Sequence, residues 1–322
     1  MNILVIRFSS LGDLVTLALI KNAIRYFFPD ANIVFLTSNI GKSLYEDTKI
    51  FDRFIVYHNA ISTLKELRDT KYDIVFNLHC NSLSHMLVAL LKKSKVINSA
   101  ANLIQKMLHI KVKVRPVQIT LQESGISKAK IDAYFKQENS NKIILPVSNK
   151  KVIQTDKKVV AISTGSSEKW KSKQWGVQNY IDLIKKLQQN NIQVVLIGTK
   201  LEENDAKQIM KSCTGVISYV NSTNLTKLKS ILFQADLYIG NDSGPSHIAA
   251  ALKTNTITIF GPTSTRHCVK DMPYTGKHIC IKPSKEIDCH PCYKASCPTK
   301  LECMKSISVD EVFNAAKSMG VV

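Results

Sequence analysis

The segment DLYIGNDSGPSHIAAALKTNTITIFG, residues 236–261, decides the fold class of this chain. It begins with an apolar strand pattern, passes through a polar corner, continues as a helix rich in small residues and returns to the strand pattern TITIFG. Two apolar strands joined by a helix predict a parallel sheet whose faces are covered by helices.

The same alternation occurs through most of the chain. ILVIRF, NIVFLT, RFIVY and YDIVFNL are strand patterns in the first half, and KVVAIS and IQVVLIG begin the second half. The alternation fades between about residues 110 and 158, which places a linker near residues 146–157. We therefore predict two Rossmann-like, doubly wound α/β domains, residues 1–150 and 151–305, that face a ligand cleft between them. An amphipathic C-terminal helix within residues 306–322 is expected to pack back on the N-terminal domain.

The charge composition limits the kinds of partner that the chain is expected to bind. The chain carries 44 Lys and Arg against 25 Asp and Glu, a formal net charge of +19. Such an excess attracts nucleic acid, an anionic membrane surface or a phosphorylated substrate, although a lysine-rich solvated surface explains part of it. No stretch interleaves aromatic with basic residues, which disfavours a nucleic-acid-binding module. The start of the chain lacks the pattern of a secretory signal, so we expect a cytoplasmic protein.

Four of the eight cysteines lie in the late segment CHPCYKASCPTKLEC, at positions 289, 292, 297 and 303. In a cytoplasmic chain all eight are expected to be reduced thiols. The CxxC start is compatible with a structural zinc site, but the later spacings form no second CxxC pair. A zinc site and a simple thiol cluster both remain open on the sequence.

The corner GNDSGPSHIAAAL, residues 240–252, carries more polar groups than a turn requires. Pro245 suits a first helical turn, where its missing N–H costs nothing, and Gly244 allows close approach to the backbone. Free amides at a helix start favour an anion. Together with Asp242, Ser243 and His247, they indicate a diphosphate site.

Two further corners follow strands. Ser9, Ser10, Gly12 and Asp13 follow the first strand, where Asp13 either helps to cap a helix or acts as a general base. The loop 164–167, with the sequence TGSS, precedes three lysines at 169, 171 and 173. Hydroxyls, amides and a lysine beside a helix start suit a phosphate, whereas the alternative is a flexible loop with solvated lysines.

These corners, in this order, resemble glycosyltransferase family 9, which includes the ADP-heptose:lipopolysaccharide heptosyltransferases. The resemblance rests on IRFSSLGDLV at residues 6–15, KQW at 173–175 and GNDSGPSHIAAAL followed by TITIFGPTS. YDIVFNLHCNSLSHML and the cysteine segment also look like family segments, so the similarity spans nearly the whole chain. The family implies a two-domain GT-B fold with an N-terminal acceptor-binding and a C-terminal nucleotide-sugar-binding domain. It also implies inversion at the transferred sugar.

By motif position, the resemblance implies that Asp13 is the general base and that Lys173 neutralises the leaving diphosphate. An acidic residue that binds the ribose corresponds to Glu202, with Glu203 as the alternative register. The residues implied for the donor are Thr164, Gly165, Ser166, Glu202, Asp242, Ser243, Gly244 and His247, and those for the acceptor are Ser9, Ser10, Gly12 and His79. No cofactor and no metal are expected, because the lysine and the helix start supply positive charge and the corners hold no DxD-like pair.

The implied reaction moves a heptose from an ADP-sugar donor, ADP-heptose, to the phosphorylated lipid A/Kdo acceptor of the lipopolysaccharide inner core. A monomer peripherally associated with the anionic inner membrane surface, without a nucleic-acid partner, fits this reaction. Two alternatives remain. A nucleotide-sugar epimerase shares the same architecture, and a basic nucleic-acid-binding protein is the non-enzyme alternative.

Overall fold

The computed structural model describes residues 1–48, 50–98, 117–137, 142–147, 151–265 and 273–322. The chain divides into two compact units, Met1–Ile143 and Ile144–Val322. The division comes earlier than the predicted boundary at residue 150. The reason is local, because the backbone N–H of Leu145 already donates to the carbonyl of Ala251 in the second unit at 2.9 Å.

The first unit is built on a parallel sheet of five strands in the order β3-β2-β1-β4-β5. The four residues 3–6 at the centre of β1 have no exposed surface, as expected for a parallel sheet covered on both faces. The edge strand β5 was not predicted, because two lysines interrupt its pattern, KSKVIN. The strands are β1 (Asn2–Arg7), β2 (Asn32–Thr37), β3 (Arg53–Val56), β4 (Tyr72–Asn77) and β5 (Lys93–Asn98).

Seven helices are described in the first unit. The helix expected from Leu14 to Phe28 is present as two helices that meet at Leu17. The region 110–158, expected to lack periodicity, contains two more, and their Leu121, Ile131 and Tyr134 pack with Ala23. Only a few apolar residues in each form this contact, which leaves little periodicity in the sequence. The helices are α1 (Leu11–Thr16), α2 (Ala18–Phe27), α3 (Asn39–Tyr45), α4 (Ala60–Leu67), α5 (Ser82–Ala89), α6 (Val117–Glu123) and α7 (Lys128–Phe135).

The second unit contains a parallel sheet of six strands in the order β11-β10-β9-β6-β7-β8. Residues 236–261 form two adjacent parallel strands and the helix between them, with Ile239 opposite Ile257. The prediction of two doubly wound α/β halves is therefore confirmed. The strands are β6 (Val159–Ser163), β7 (Gln193–Leu196), β8 (Ile217–Ser218), β9 (Leu237–Asn241), β10 (Asn255–Ile259) and β11 (His278–Ile281).

The C-terminal helix contributes to the core of the second unit, whereas the sequence predicted that it packs on the N-terminal domain. Its buried Val312, Phe313 and Ala316 lie in one cluster with Leu183 and Leu187 of an earlier helix. Its apolar face is thus used within its own unit. The helices here are α8 (Val177–Gln189), α9 (Glu203–Ser212), α10 (Leu225–Gln234), α11 (Gly244–Ala251), α12 (Glu302–Lys305) and α13 (Val309–Ser318), with 3-10 turns at Lys171–Lys173 and Lys200–Glu202.

The helices of both units are short compared with the thickness of a bilayer. α8, with 13 residues, exceeds every other helix in the described ranges, and about 20 residues are needed to cross a bilayer. In the part of the chain that the structure describes, no helix is long and apolar enough to span a membrane.

Candidate active site

The carboxyl edge of the first sheet gathers the residues expected on the acceptor side. β1 and β4 are adjacent and parallel, so the segments that follow them lie side by side. Ser9 and Ser10 are exposed after β1. The His79 ring, after β4, lies edge-on to Phe8 with 4.9 Å between ring centroids. The predicted residues at this edge are Ser9, Ser10, Gly12, Asp13 and His79.

Asp13 is held at the start of α1 by one of its two carboxylate oxygens. Ser10 is the N-cap residue, and its backbone N–H and hydroxyl donate to Asp13 Oδ2 at 3.1 and 3.2 Å. An Arg7 nitrogen lies 2.5 Å from the same oxygen. Among the described residues, no donor binds Oδ1, and the side chain is 51% exposed. The helix-start role therefore uses Oδ2 and leaves Oδ1 available to a substrate.

Arg7 is a site residue that the sequence reasoning missed. Besides pairing with Asp13, its guanidinium donates to the backbone carbonyl of Leu78, just after β4. The side chain thereby connects the ends of β1 and β4 and orients the carboxylate between them. The available signal was a charged residue at the end of the otherwise apolar strand ILVIRF.

In the second unit, Lys173 and Asp242 form an ion pair at the carboxyl edge of the sheet. Lys173 Nζ lies 2.6 Å from Asp242 Oδ2, which also accepts a hydrogen bond from Thr263 Oγ1 at 3.0 Å. The ammonium also lies over the Trp170 ring, 4.8 Å from its centroid. The two charged side chains are only 15% and 18% exposed. Asp242, expected beside the diphosphate, thus has the predicted phosphate-binding lysine as its immediate partner.

The turn that carries Lys173 is fixed from both sides. The Ser166 hydroxyl donates to the Trp170 carbonyl at 2.6 Å. Ser172 is buried, its hydroxyl donates to the carbonyl of Lys294 at 2.6 Å, and its N–H donates to the carbonyl of residue 295 at 3.2 Å. Lys173 thus lies in a turn that hydrogen bonds hold in place, whereas Lys169 and Lys171 on the same loop are exposed.

The predicted diphosphate corner forms the start of α11. Ser243 is its N-cap residue, with extended backbone angles, and Gly244 and Pro245 follow in the first turn. His247, one turn into the helix, lies with Nδ1 3.0 Å from the Tyr274 hydroxyl. Burial raises the pKa of Tyr274, so it remains a neutral hydroxyl at physiological pH.

Glu202 and Glu203 have different surroundings. Glu202 is buried, and its Oε2 accepts hydrogen bonds from the Thr199 N–H at 2.6 Å and hydroxyl at 2.9 Å. Its Oε1 lies against Gly165, where a Cβ would stand 1.9 Å from that oxygen. Glu203 instead accepts from the Asn221 amide at 2.7 Å. Only Glu202 adjoins the predicted donor loop.

The close contact between Glu202 and Gly165 predicts a specific loss of stability. We expect Gly165→Ala to lower the free energy of unfolding by about 1–3 kcal/mol, because its Cβ must displace Glu202 from its Thr199 partner. Urea denaturation measures the loss. In a Glu202→Ala background the same substitution should cost much less. An equal cost in both backgrounds would show that the contact with Glu202 is not the cause.

The late cysteines do not form a metal site in the described ranges. Within them, no three His, Cys, Asp or Glu side chains are placed to hold a metal ion. Cys289, Cys292, Cys297 and Cys303 are free thiols, and a hydrogen bond from Thr299 lowers the pKa of Cys297. Cys280 is disulfide-bonded, which corrects the expectation of eight reduced thiols. That expectation came from the assumed compartment, whereas pairing depends on which thiols the fold brings together.

Known proteins are similar to this chain in sequence or in fold. Lipooligosaccharide heptosyltransferase 2 of Campylobacter jejuni is 26% identical over 326 residues, covering 96% of this chain and 95% of the relative. The solved ADP-heptose lipopolysaccharide heptosyltransferase II of Escherichia coli aligns with a TM-score of 0.76 and 18% identity, covering 99% of this chain and 98% of that one. A UDP-GlcNAc 2-epimerase of Methanocaldococcus jannaschii is more distant, with a TM-score of 0.51, 16% identity and coverage of 87% and 89%.

The family model of glycosyltransferase family 9 (heptosyltransferase) matches residues 60–302. This range includes the donor loop, the Lys173 turn and the whole segment 236–261 from which the fold was predicted. The family and the enzyme class expected from the sequence are both confirmed, and the epimerase alternative retains only a distant likeness of fold. The chain belongs to glycosyltransferase family 9, the heptosyltransferases.

Proposed function

We propose that the chain transfers heptose, with inversion, from ADP-heptose to the phosphorylated lipid A/Kdo acceptor of the lipopolysaccharide inner core. The observation that carries this proposal is the ion-paired Lys173, held beside the donor loop and the start of α11. The names of the heptosyltransferase relatives support the choice of donor and acceptor class.

In this proposal Lys173 balances the charge that develops on the departing diphosphate. The ammonium is largely shielded from water. An electrostatic contact in such a shielded place is stronger than one at a solvated surface. Asp242 does not contact the phosphates, because two anions in contact repel each other. Its carboxylate holds the lysine in place, while Ser243 and Gly244 offer the amides of a helix start to the diphosphate.

Glu202 binds the ribose of the donor. Its carboxylate lies against Gly165 in the loop that would hold the phosphates, and a ribose is covalently next to them. A cavity of about 460 Å³ is lined by Ser222, Asn224 and Lys227 among others. Its lining residue Ser222 follows Asn221, the partner of Glu203, in the sequence. We assign this cavity to the nucleobase.

Asp13 accepts the proton of the attacking acceptor hydroxyl. Its Oδ1 has no hydrogen-bond donor among the described residues and is in position to receive one. Ser9, Ser10, Gly12 and His79, which follow the adjacent strands β1 and β4, bind the acceptor sugar. A hydroxyl becomes a far better nucleophile as its proton leaves, which is the purpose of a general base here.

The protein acts as a cytoplasmic monomer at the inner membrane surface. A net charge of +19 favours attraction to anionic lipid head groups and to a phosphorylated acceptor. This attraction is electrostatic, so binding of the chain to anionic vesicles would weaken as the salt concentration rises.

A nucleotide screen tests the donor assignment. We expect ADP and ADP-heptose to raise the melting temperature by several degrees at a hundredfold excess over Kd, which corresponds to about 2.7 kcal/mol. UDP, GDP and CDP at the same concentration should give little change. Equal stabilisation by all four diphosphates would argue against an ADP-sugar donor, and stabilisation by UDP alone would favour the epimerase alternative.

A further inference from the structure

Asn241, the last residue of β9, is completely buried and is not a solvated corner residue. Its Nδ2 donates to two consecutive backbone carbonyls, those of Thr164 at 2.7 Å and Gly165 at 3.1 Å. Only the NH₂ group of the side chain can serve two carbonyls, so these contacts fix which end of the amide faces the loop. One buried side chain thereby determines the orientation of two successive peptide groups.

The orientation of those peptide groups decides what the loop offers on its other side. In a trans peptide the C=O and the following N–H point in opposite directions. With the carbonyls of Thr164 and Gly165 turned toward Asn241, the N–H groups of Gly165 and Ser166 must point away from it. Among the described residues, none accepts a hydrogen bond from either N–H, although both residues are buried. Consecutive free N–H groups form a concave anion-binding site.

Tyr180, on α8, keeps the Asn241 amide in this orientation. Its hydroxyl, completely buried, donates to Asn241 Oδ1 at 3.1 Å. Burial raises the pKa of Tyr180 well above its ordinary value, so the hydroxyl remains a donor throughout the physiological range. A reversed amide would place its oxygen against the two carbonyls, which is strongly unfavourable, and would take away the acceptor of the Tyr180 hydroxyl.

We propose that Asn241, oriented by Tyr180, is a positioning residue that aims the N–H groups of Gly165 and Ser166 at the diphosphate of the donor. Neither Asn241 nor Tyr180 touches the substrate. Their effect is on the loop backbone, and it should appear in binding of the diphosphate portion and not of the nucleoside. The inference rests on the proposed function, since it assumes that the second unit binds an ADP-sugar.

Asn241→Asp provides the direct test because it keeps the shape and replaces the NH₂ donor with an oxygen that repels both carbonyls. We expect Kd for ADP, measured by calorimetry, to rise about tenfold or more, while Kd for adenosine changes less than about twofold. In ¹H–¹⁵N spectra, the amide signals of Gly165 and Ser166 should shift on ADP addition in the wild type and much less in the variant. Tyr180→Phe is a milder change and should weaken ADP binding a few-fold. It is the variant that tests the proposal if Asn241→Asp does not fold.

Thr254→Val is a matched control. Thr254 is also buried in the second unit, and its hydroxyl donates to the Leu232 carbonyl at 2.7 Å, away from the loop. The Thr254→Val variant should be less stable than the wild type and should keep the wild-type Kd for ADP. If the wild type binds ADP and the Asn241 and Tyr180 variants bind it equally well, the inference is overturned while the proposed function stands. If the wild type does not bind ADP, both are overturned.

Discussion

Asp13→Asn is expected to lower the rate of heptose transfer by about a hundredfold or more while leaving Kd for ADP within about twofold. An amide oxygen still accepts the hydrogen bond from Ser10 at the start of α1, so the helix should persist. The amide cannot accept a proton at neutral pH, which removes the general base. Release of ADP from ADP-heptose in the presence of a lipid A/Kdo acceptor measures the rate.

Asp52→Asn is the control for this experiment. Asp52 lies in the same unit, pairs with Arg25 at 2.6 Å and accepts from the backbone N–H of Ile33 at 2.7 Å. It thus repeats the contacts of Asp13 with an arginine and a backbone amide at another place. The control should lose similar stability and keep full transfer. Near-normal transfer by a folded Asp13→Asn protein would return Asp13 to a purely structural role.

Lys173→Ala is expected to lower kcat by about a hundredfold, the scale for losing one strong contact to charge in the transition state. Because Lys173 is only 15% exposed and is paired with Asp242, the variant should also lose stability, so kcat is measured at a temperature at which the variant remains folded. Part of the loss in kcat has a second cause, because removal of the ammonium leaves the Asp242 carboxylate without its cation where the diphosphate would bind. Adding Asp242→Asn to Lys173→Ala should therefore recover some affinity for ADP.

Lys169→Ala is the matched control, because Lys169 lies on the same loop and is exposed. It should behave as the wild type in kcat and in Kd for ADP. Unchanged turnover of Lys173→Ala with a confirmed donor would remove the lysine from the mechanism. A double variant that binds ADP no better than Lys173→Ala would show that the unpaired carboxylate does not repel the donor.

Strong local patterns made most of the sheet strands predictable. The buried run in β1 is apolar throughout, and those in β6 and β9 are apolar except for Ser163 and Asn241 at their ends, so the sequence marks all three strands without reference to the rest of the chain. β8 has only two residues, Ile217 and Ser218, too few for any pattern. β11 has the sequence HICI, whose histidine and cysteine obscured it.

The site was predictable only in its residue types. The three polar corners showed which segments lie at strand ends, but not which side chains pair. Lys173 and Asp242 are 69 residues apart in sequence and 2.6 Å apart in space. Asn241 was missed because a polar residue that ends a strand and enters a loop gives no sign of being fully buried. Such pairings depend on the packing of segments that are remote in sequence.

The pairing of β6 with β9 has a kinetic consequence. These central strands are neighbours, with Val160 opposite Leu237, yet β7, β8 and three helices separate them along the chain. Closing so long a loop costs conformational entropy before any contact compensates for it, which slows folding. The loop after β6 and the start of α11 meet only once that closure is complete. Acquisition of ADP affinity during refolding should therefore coincide with the slow formation of the whole sheet and not precede it.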